Sequence, residues 1–405
     1  MRFHEKQLEV LRSVKYENPK ILICSGAKRS GKTYVLTFVF MAHVAKYENK
    51  GLSFIIGGAT QASIRRNILN DMELILGRDI KLAKDNHFKL FGNKIYCFDG
   101  ANCDSYKKVR GFTSYGAFLN EATTLHDSFV KECISRCSGE GARIYMDTNP
   151  ENPTHTVKID YVDKDGQILE NGRINIRSFQ FTLYDNTFLN KEYVQSIEAS
   201  TPTGMFFDRD ILGKWVAAEG VVYQDFNKDI HYIKDTKDIQ FKKYIVGVDF
   251  GWEHFGSMVV VGVDIYNNYY LIHEYAYQHK DIDQWCNIAK DIKNQYGNIN
   301  FYCDHARPDY INKLRVSGIR AIEAKKDVLE GISTVATLFK TNRLFIVESN
   351  VKQFKNEIYN YVWKDGKDEP VKTNDDVLDS LRYAIYTDMQ YNPTNTPFNR
   401  KQYGI

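Results

Sequence analysis

Residues 26 to 33 read G-A-K-R-S-G-K-T and fit the pattern G-x-x-x-x-G-K-[ST] in full. The chemistry that spacing serves is phosphate binding. Glycines let the backbone close around an anion, and N–H groups at the start of a helix point at it. Lys32 is placed for the β- and γ-phosphates of ATP and Thr33 for a Mg²⁺ ion, with Gly26, Ser30 and Gly31 completing the loop. Lys28 and Arg29 add positive charge beyond the minimum. Arg29 stays open to two readings, a cis arginine finger on the γ-phosphate or a solvated side chain.

An ATPase of this kind needs an acid at the end of another strand. Y-G-A-F-L-N-E-A, residues 115 to 122, supplies an apolar strand and then Asn120 and Glu121. Glu121 is placed to polarise an attacking water; the bland alternative is an acid favoured at a helix start. Asn stands at 120, where Asp is expected. It can hydrogen-bond a metal-bound water but cannot neutralise charge. R-I-Y-M-D-T-N-P, residues 143 to 150, is a further strand with small polar groups at its end. Thr148 and Asn149 there are read as a γ-phosphate sensor, against a plain turn at Asn-Pro. Gln7, before the first strand, is a candidate for adenine.

A second set of acids follows residue 240. Asp249 ends Y-I-V-G-V-D, Asp304 ends N-I-N-F-Y-C-D, and Asp379 lies in the helical pattern D-D-V-L-D-S-L-R-Y-A. Two strand-end carboxylates and one helix carboxylate can converge on a pair of divalent ions, about 3.5–4 Å apart, that clamp both oxygens of a phosphodiester displacement. Hard oxygen ligands suit Mg²⁺ or Mn²⁺. This is the RNase H-type order of acids. Taken singly, each Asp reads as a surface or strand-end acid. Asp264 precedes a turn at Tyr266-Asn267-Asn268 and is assigned to it. Asp375 and Asp376 are reserve ligands or a helix cap, and His305 and Asp309 flank Asp304.

The elements that must position these groups are legible as alternation. Apolar strand-like runs (21–25, 53–58, 94–98, 115–119, 143–147) alternate with amphipathic stretches up to about residue 180, which predicts a parallel sheet covered by helices. Residues 166–181 predict a hairpin and strand. After residue 240 the pattern predicts an antiparallel meander, a helix over 282–296 and a strand over 298–304. The fold class is α/β: a P-loop NTPase parallel-sheet domain (1–205), a linker (206–240), an RNase H-like mixed-sheet nuclease domain (241–390) and a tail (391–405).

Composition excludes little. Of 405 residues, 54 are basic and 51 acidic, so a nucleic-acid site has to be a local patch. Arg65, Arg66, Lys107, Lys108 and Arg110 are candidates, with solvated surface as the default for each. The polar start predicts no signal peptide, and the apolar run 35–42 is too short to span a membrane and predicts a buried helix. Seven scattered cysteines predict reduced thiols; Cys133, Cys137 and His126 read as a half-buried helix pair with a neighbour rather than a metal site.

The chain resembles the large subunit of the tailed-bacteriophage terminase. The stretches that carry the resemblance run in order over about residues 1 to 390. They are the phosphate loop, K-V-R-G-F-T-S-Y-G-A-F-L-N-E-A, M-D-T-N-P-E-N-P-T-H, I-L-G-K-W-V-A-A-E-G-V-V-Y-Q-D-F, V-G-V-D-F-G-W, C-D-H-A-R-P-D-Y-I and D-V-L-D-S-L-R-Y-A. The resemblance implies ATP-driven translocation of double-stranded DNA into a procapsid, with metal-dependent cutting of concatemeric DNA. It implies a homo-oligomeric ring, a small terminase subunit and a portal protein as partners, and the cytoplasm of the infected host as the location, with transient docking on the procapsid and no membrane. By it Lys32 and Thr33 bind ATP and Mg²⁺, Glu121 is catalytic, Thr148 and Asn149 couple hydrolysis to movement, and Asp249, Asp304 and Asp379 hold the nuclease metals. Asn120 departs from the family's usual Asp, and the third nuclease ligand varies within the family. A repair helicase–nuclease is the first alternative, but it needs a second ATPase sheet. A nucleotide-switched DNA clamp without nuclease activity is the second. A small-molecule kinase leaves 241–390 without a role.

Overall fold

A computed structural model describes residues 2–373 and 375–391. They divide into two compact units, one of 1–198 with 205–217, the other of 199–204 with 218 onward. Each is built on a seven-stranded sheet.

The first unit contains β1 (Ile21–Gly26), β2 (Ser53–Gly58), β3 (His87–Leu90), β4 (Asn93–Asp99), β5 (Gly116–Leu119), β6 (Arg143–Thr148) and β7 (Ile176–Phe181), in the order β3-β4-β2-β5-β6-β1-β7. All pairs are parallel except β3 with β4, where a short hairpin adds an antiparallel edge. The expected strands are all present. β1 and β6 are buried at every residue, as a sheet covered on both faces requires. Period-2 alternation sorts their side chains. Leu22, Cys24, Phe118 and Tyr145 join one core with helices α1 (Glu5–Tyr16) and α2 (Lys32–Ala45). Ile21, Ile23, Leu119, Ile144 and Met146 join another on the opposite face, with Cys133 and Cys137 buried in it rather than half-buried. His126 caps the start of the helix Asp127–Arg136, accepting from the Ser128 N–H; Cys133 lies in that helix and Cys137 ends it.

The second sheet contains β8 (Tyr232–Ile233), β9 (Phe241–Asp249), β10 (Gly256–Asp264), β11 (Tyr269–Tyr277), β12 (Asn300–Cys303), β13 (Arg320–Glu323) and β14 (Leu344–Val347). Its order is β13-β12-β9-β10-β11-β14-β8. β9, β10 and β11 form the expected antiparallel meander, and the flanking pairs are parallel. Val246, Val248, Phe301 and Cys303 face one core, covered by the helix Ile282–Tyr296 and the helix Pro308–Val316. Residues 247, 249, 302 and 304 are of the other parity and face the opposite side. The final helix, Asp376–Tyr391, covers that side: Tyr302 Oη donates to its Asp388 carboxylate at 3.4 Å.

The stretch 206–240 is divided between the units rather than left as a free connector. Ile211 is fully buried, and the Trp215 indole N–H donates to Ser25 Oγ at 3.0 Å, beneath the phosphate loop. Gly213 (φ +66°) approaches so closely that a Cβ there would stand 2.1 Å from the Phe181 carbonyl oxygen. Irregular backbone that packs without periodicity looks like a linker in sequence. Of the expected tail, Tyr391 closes the last helix and 392–405 lie outside the described residues.

Candidate functional site

The loop Gly26–Thr33 joins β1 to α2, strand end to helix start, with Gly31 (φ +89°) and Arg29 (φ +57°) in the left-handed region. Lys32 is buried and turned back on the loop. Its ammonium donates to the carbonyls of Gly26 (2.9 Å) and Ala27 (2.6 Å), to Ser30 Oγ (3.3 Å) and to Asn149 Oδ1 (3.3 Å). Burial lowers its pKa from 10.5 to about 8, although Asp147, Cys24, Glu121 and Asp210 pull the other way. A buried cation sharing carbonyl partners is poised to exchange them for a phosphate.

Thr33 donates its hydroxyl to the Asp147 carboxylate. Asn120 Nδ2 donates to both oxygens of the same carboxylate (3.0 and 3.1 Å), and the Glu121 N–H donates to one of them (3.0 Å). Glu121 holds φ +50°, a conformation a non-glycine residue adopts only at some cost in strain. Burial and Asp147 raise its carboxyl pKa. Thr148 Oγ1 donates to Thr123 Oγ1 at 2.8 Å, linking the end of β6 to the turn that follows Glu121.

Other expected contacts are engaged within the protein. Gln7 is buried; its Nε2 donates to the Gly31 carbonyl at 2.9 Å and its Oε1 accepts from the His4 N–H, so it braces the loop. Arg29 lies over the Tyr193 ring, and Lys28 pairs with Asp210 at 3.2 Å. Arg65 is tied to Glu73, Lys107 to Asp104, Lys108 to Asp99, and Arg110 lies over Tyr106. Arg66 bears electrostatically on Glu121.

In the second unit, strand register sets Asp249 and Asp304 side by side: Cys303 pairs with Val248, and the Asp304 N–H donates to the Val248 carbonyl at 2.9 Å. The final helix brings Asp379 to the same face. Its approach depends on Gly247, where a Cβ would stand 1.8 Å from the Ser380 carbonyl oxygen. Ser257 on β10 bonds both Ser380 Oγ (2.6 Å) and the Asp376 carbonyl (2.8 Å), fixing the helix start over the strand ends.

Protein atoms crowd the Asp249 carboxyl although it keeps partial solvent access. Burial, then the charges of Asp379, Asp304, Asp376 and Asp375, push its pKa well above the carboxylate range. Burial likewise raises Asp375 and Asp376, each to about 6. Two acids carry internal cations: Lys326 Nζ is 2.6 Å from Asp304 Oδ1, and Arg382 Nη2 is 3.0 Å from Asp379 Oδ1. Among the described residues no three His, Cys, Asp or Glu side chains stand at metal-ligating distances. The like charges repel one another, and a lysine and an arginine pair with two of the acids. The donor set is all hard oxygen, and Asp249 sits where a divalent cation would offset several acids at once, so the residues fit Mg²⁺ or Mn²⁺.

Asp264 makes the expected turn, accepting from the N–H groups of Tyr266 and Asn268 and from the Tyr270 hydroxyl. Asp309 pairs with Arg307 at 3.5 Å, and His305 is exposed. Sequence reading passed over Asp147, Lys326 and Arg382. Asp147 left a signal, an acid at the end of a buried strand, and so did Arg382, three residues after Asp379 on one helical pattern; Lys326 left none.

Two family models match the chain. "Terminase large subunit, T4likevirus-type, N-terminal" covers residues 23–228, and "Terminase RNaseH-like domain" covers 246–387. Comparison with curated proteins returns no match. Three solved structures of the large terminase from a thermophilic bacteriophage are similar, each at 30% identity. The ADP complex covers 95% of this chain and 99% of its own, with a TM-score of 0.77. A second crystal form covers 96% and 99% at 0.79, and the ATP-γ-S complex 95% and 99% at 0.74.

Proposed function

The chain belongs to the terminase large-subunit family, and from that premise we propose which of its residues carry each activity. The protein is an ATPase and a metal-dependent RNase H-like nuclease that packages and cuts viral DNA. In the first unit, Lys32 and the loop N–H groups bind the phosphates of ATP, as the thermophilic-phage protein is seen to bind ADP and ATP-γ-S. Thr33 would hold Mg²⁺, which would supply charge neutralisation on the phosphates. Glu121 takes the proton of the attacking water, a role its raised pKa suits. Thr148 and Asn149 relay the state of the phosphates, one bonded to the turn beyond Glu121 and the other to Lys32.

In the second unit, Asp249, Asp304 and Asp379 would hold two Mg²⁺ or Mn²⁺ ions, with Asp375 and Asp376 in reserve. Ions held there would supply charge stabilisation to the attacking and leaving oxygens of a phosphodiester. The observation that carries the reading is the convergence of these acids on one sheet face, in a chain whose other sheet holds a complete phosphate loop.

DNA is the partner of both units, gripped through its phosphates and therefore salt-sensitively. A ring of copies, a portal and a small terminase subunit complete the motor in the host cytoplasm, with transient docking on the procapsid. No helix among the described residues is long and apolar enough to cross a membrane.

The test is plasmid nicking with Mn²⁺ or Mg²⁺ and no ATP, on the intact protein and on Asp249→Asn and Asp304→Asn. The intact protein is expected to cut and both variants to be inert while ATP hydrolysis persists. Cutting by the variants at the intact rate would remove these acids from the reaction. One observation stands on the side of a clamp without nuclease activity, that Lys326 and Arg382 already pair with two of the acids. Inertness of all three proteins on DNA, with ATPase intact, would strengthen the clamp reading or else assign cutting to the assembled motor.

A further inference from the structure

We infer that Asp147 supplies the metal-directed negative charge of the ATPase site, in the place that Asn120 leaves neutral. The inference rests on the nucleotide reading of Gly26–Thr33. β5 and β6 are parallel neighbours with Leu119 paired to Met146, so residues 120 and 147 end their strands side by side. β6 is the strand directly beside β1, in register Cys24 to Asp147, which sets 147 one strand nearer the loop. Alternation turns 118, 120, 145 and 147 towards the face that α2 covers, and Thr33 lies in the first turn of α2.

The bonding then assigns roles. Asp147 is 2% exposed, and its carboxylate accepts a hydrogen bond from the Thr33 hydroxyl. With its proton so committed, Thr33 Oγ1 presents lone pairs to a cation. Asn120 spends its amide on Asp147 and its carbonyl on Asn67, so it orients the acid rather than replacing it. The Glu121 N–H on the same carboxylate ties the general base to the same point. These bonds hold the carboxylate beside the hydroxyl that faces the metal, and such supporting groups govern metal affinity by about 10–100-fold.

The test measures affinity for a fluorescent ATP analogue with and without Mg²⁺; the ratio reports the metal at this site and is blind to the nuclease metals. For Asp147→Asn the Mg²⁺-dependent gain is expected to fall at least tenfold, with metal-free affinity within twofold of the intact protein. The exchange variant N120D/D147N, which moves the charge back one strand, is expected to regain most of it. A merely structural Asp147 predicts an unchanged ratio in the folded single variant, and that result overturns the inference. If Asp147→Asn fails to fold by circular dichroism, the exchange variant decides alone: Mg²⁺-dependent gain restored supports it, gain absent from a folded protein overturns it. Lys32→Ala separates the premise. Its loss of analogue binding keeps the nucleotide reading whatever Asp147 shows; normal binding would sink that reading instead.

Discussion

Gly247 on β9 and Ser380 on the final helix meet backbone to backbone: a Cβ added at 247 would stand 1.8 Å from the Ser380 carbonyl oxygen. That contact lowers the helix onto the strand and sets Asp379 beside Asp249. Glycine is required here by space.

Gly247→Ala should therefore push the helix away and cost about 1–3 kcal/mol, the usual range for overpacking. For a unit of this size that is a fall of roughly 2–4 °C in Tm per kcal/mol. Nicking should drop while ATP hydrolysis stays near normal, because the phosphate loop is in the other unit. Calorimetry and the two activity assays check this. A variant as stable and as active in nicking as the intact protein would show that the close approach is dispensable.

Glu121→Gln should bind ATP with near-normal affinity and hydrolyse it about 10²–10⁴-fold more slowly, equivalent to roughly 3–5 kcal/mol on the barrier. The amide keeps the shape and the left-handed backbone but cannot take a proton. Single-turnover hydrolysis beside equilibrium binding separates the two effects. A rate within threefold of the intact protein would remove Glu121 from the proton-transfer role.

Lys32 gives a pH signature. Its folded pKa, about 8, lies below the usual 10.5. Between those values the unfolded chain holds the proton and the nucleotide-free fold does not, so this group's contribution to stability rises with pH across the window. Phosphate restores the charged form, so ATP binding at pH 9 should take up a proton and weaken as pH rises above 8. Titration calorimetry in two buffers of different ionisation enthalpy reads the proton directly. No difference between the buffers would contradict it.

The acid cluster gives the opposite sign. Asp249, Asp375 and Asp376 have folded pKa values raised above the ordinary 3.8, the last two to about 6. The metal-free fold thus holds protons that the unfolded chain has released, and the cluster's contribution to stability declines as pH rises from about 4 through 6. His254 bears on Asp375 and Asp376 as a partial counter-charge, as do Lys326 and Arg382 on Asp304 and Asp379. Mn²⁺ competes with those protons, so it should raise Tm more at pH 8 than at pH 5.5. Equal shifts at both values would mean that Mn²⁺ binds elsewhere.

The sequence by itself determined what is contiguous. The phosphate loop, the strand before it and the helix after it lie within 25 residues, so spacing encodes both the loop and its setting. Strands and helices with clear period appeared where alternation placed them, including the helix Ile282–Tyr296 and the meander from β9 to β11. The acids at strand ends were visible as acids. Tertiary structure decided which of them meet, because register between strands and the parity of a residue along its strand are set by distant partners. Asp147 became the partner of Thr33 only when β6 lay beside β1, and Lys326 became the counter-charge of Asp304 only when the chain folded back over the sheet, whereas Arg382, three residues after Asp379 on one helix, is a local partner. The segment 206–240 shows the same limit: its packing comes from single contacts such as Trp215 on Ser25, and single contacts leave no period in a sequence.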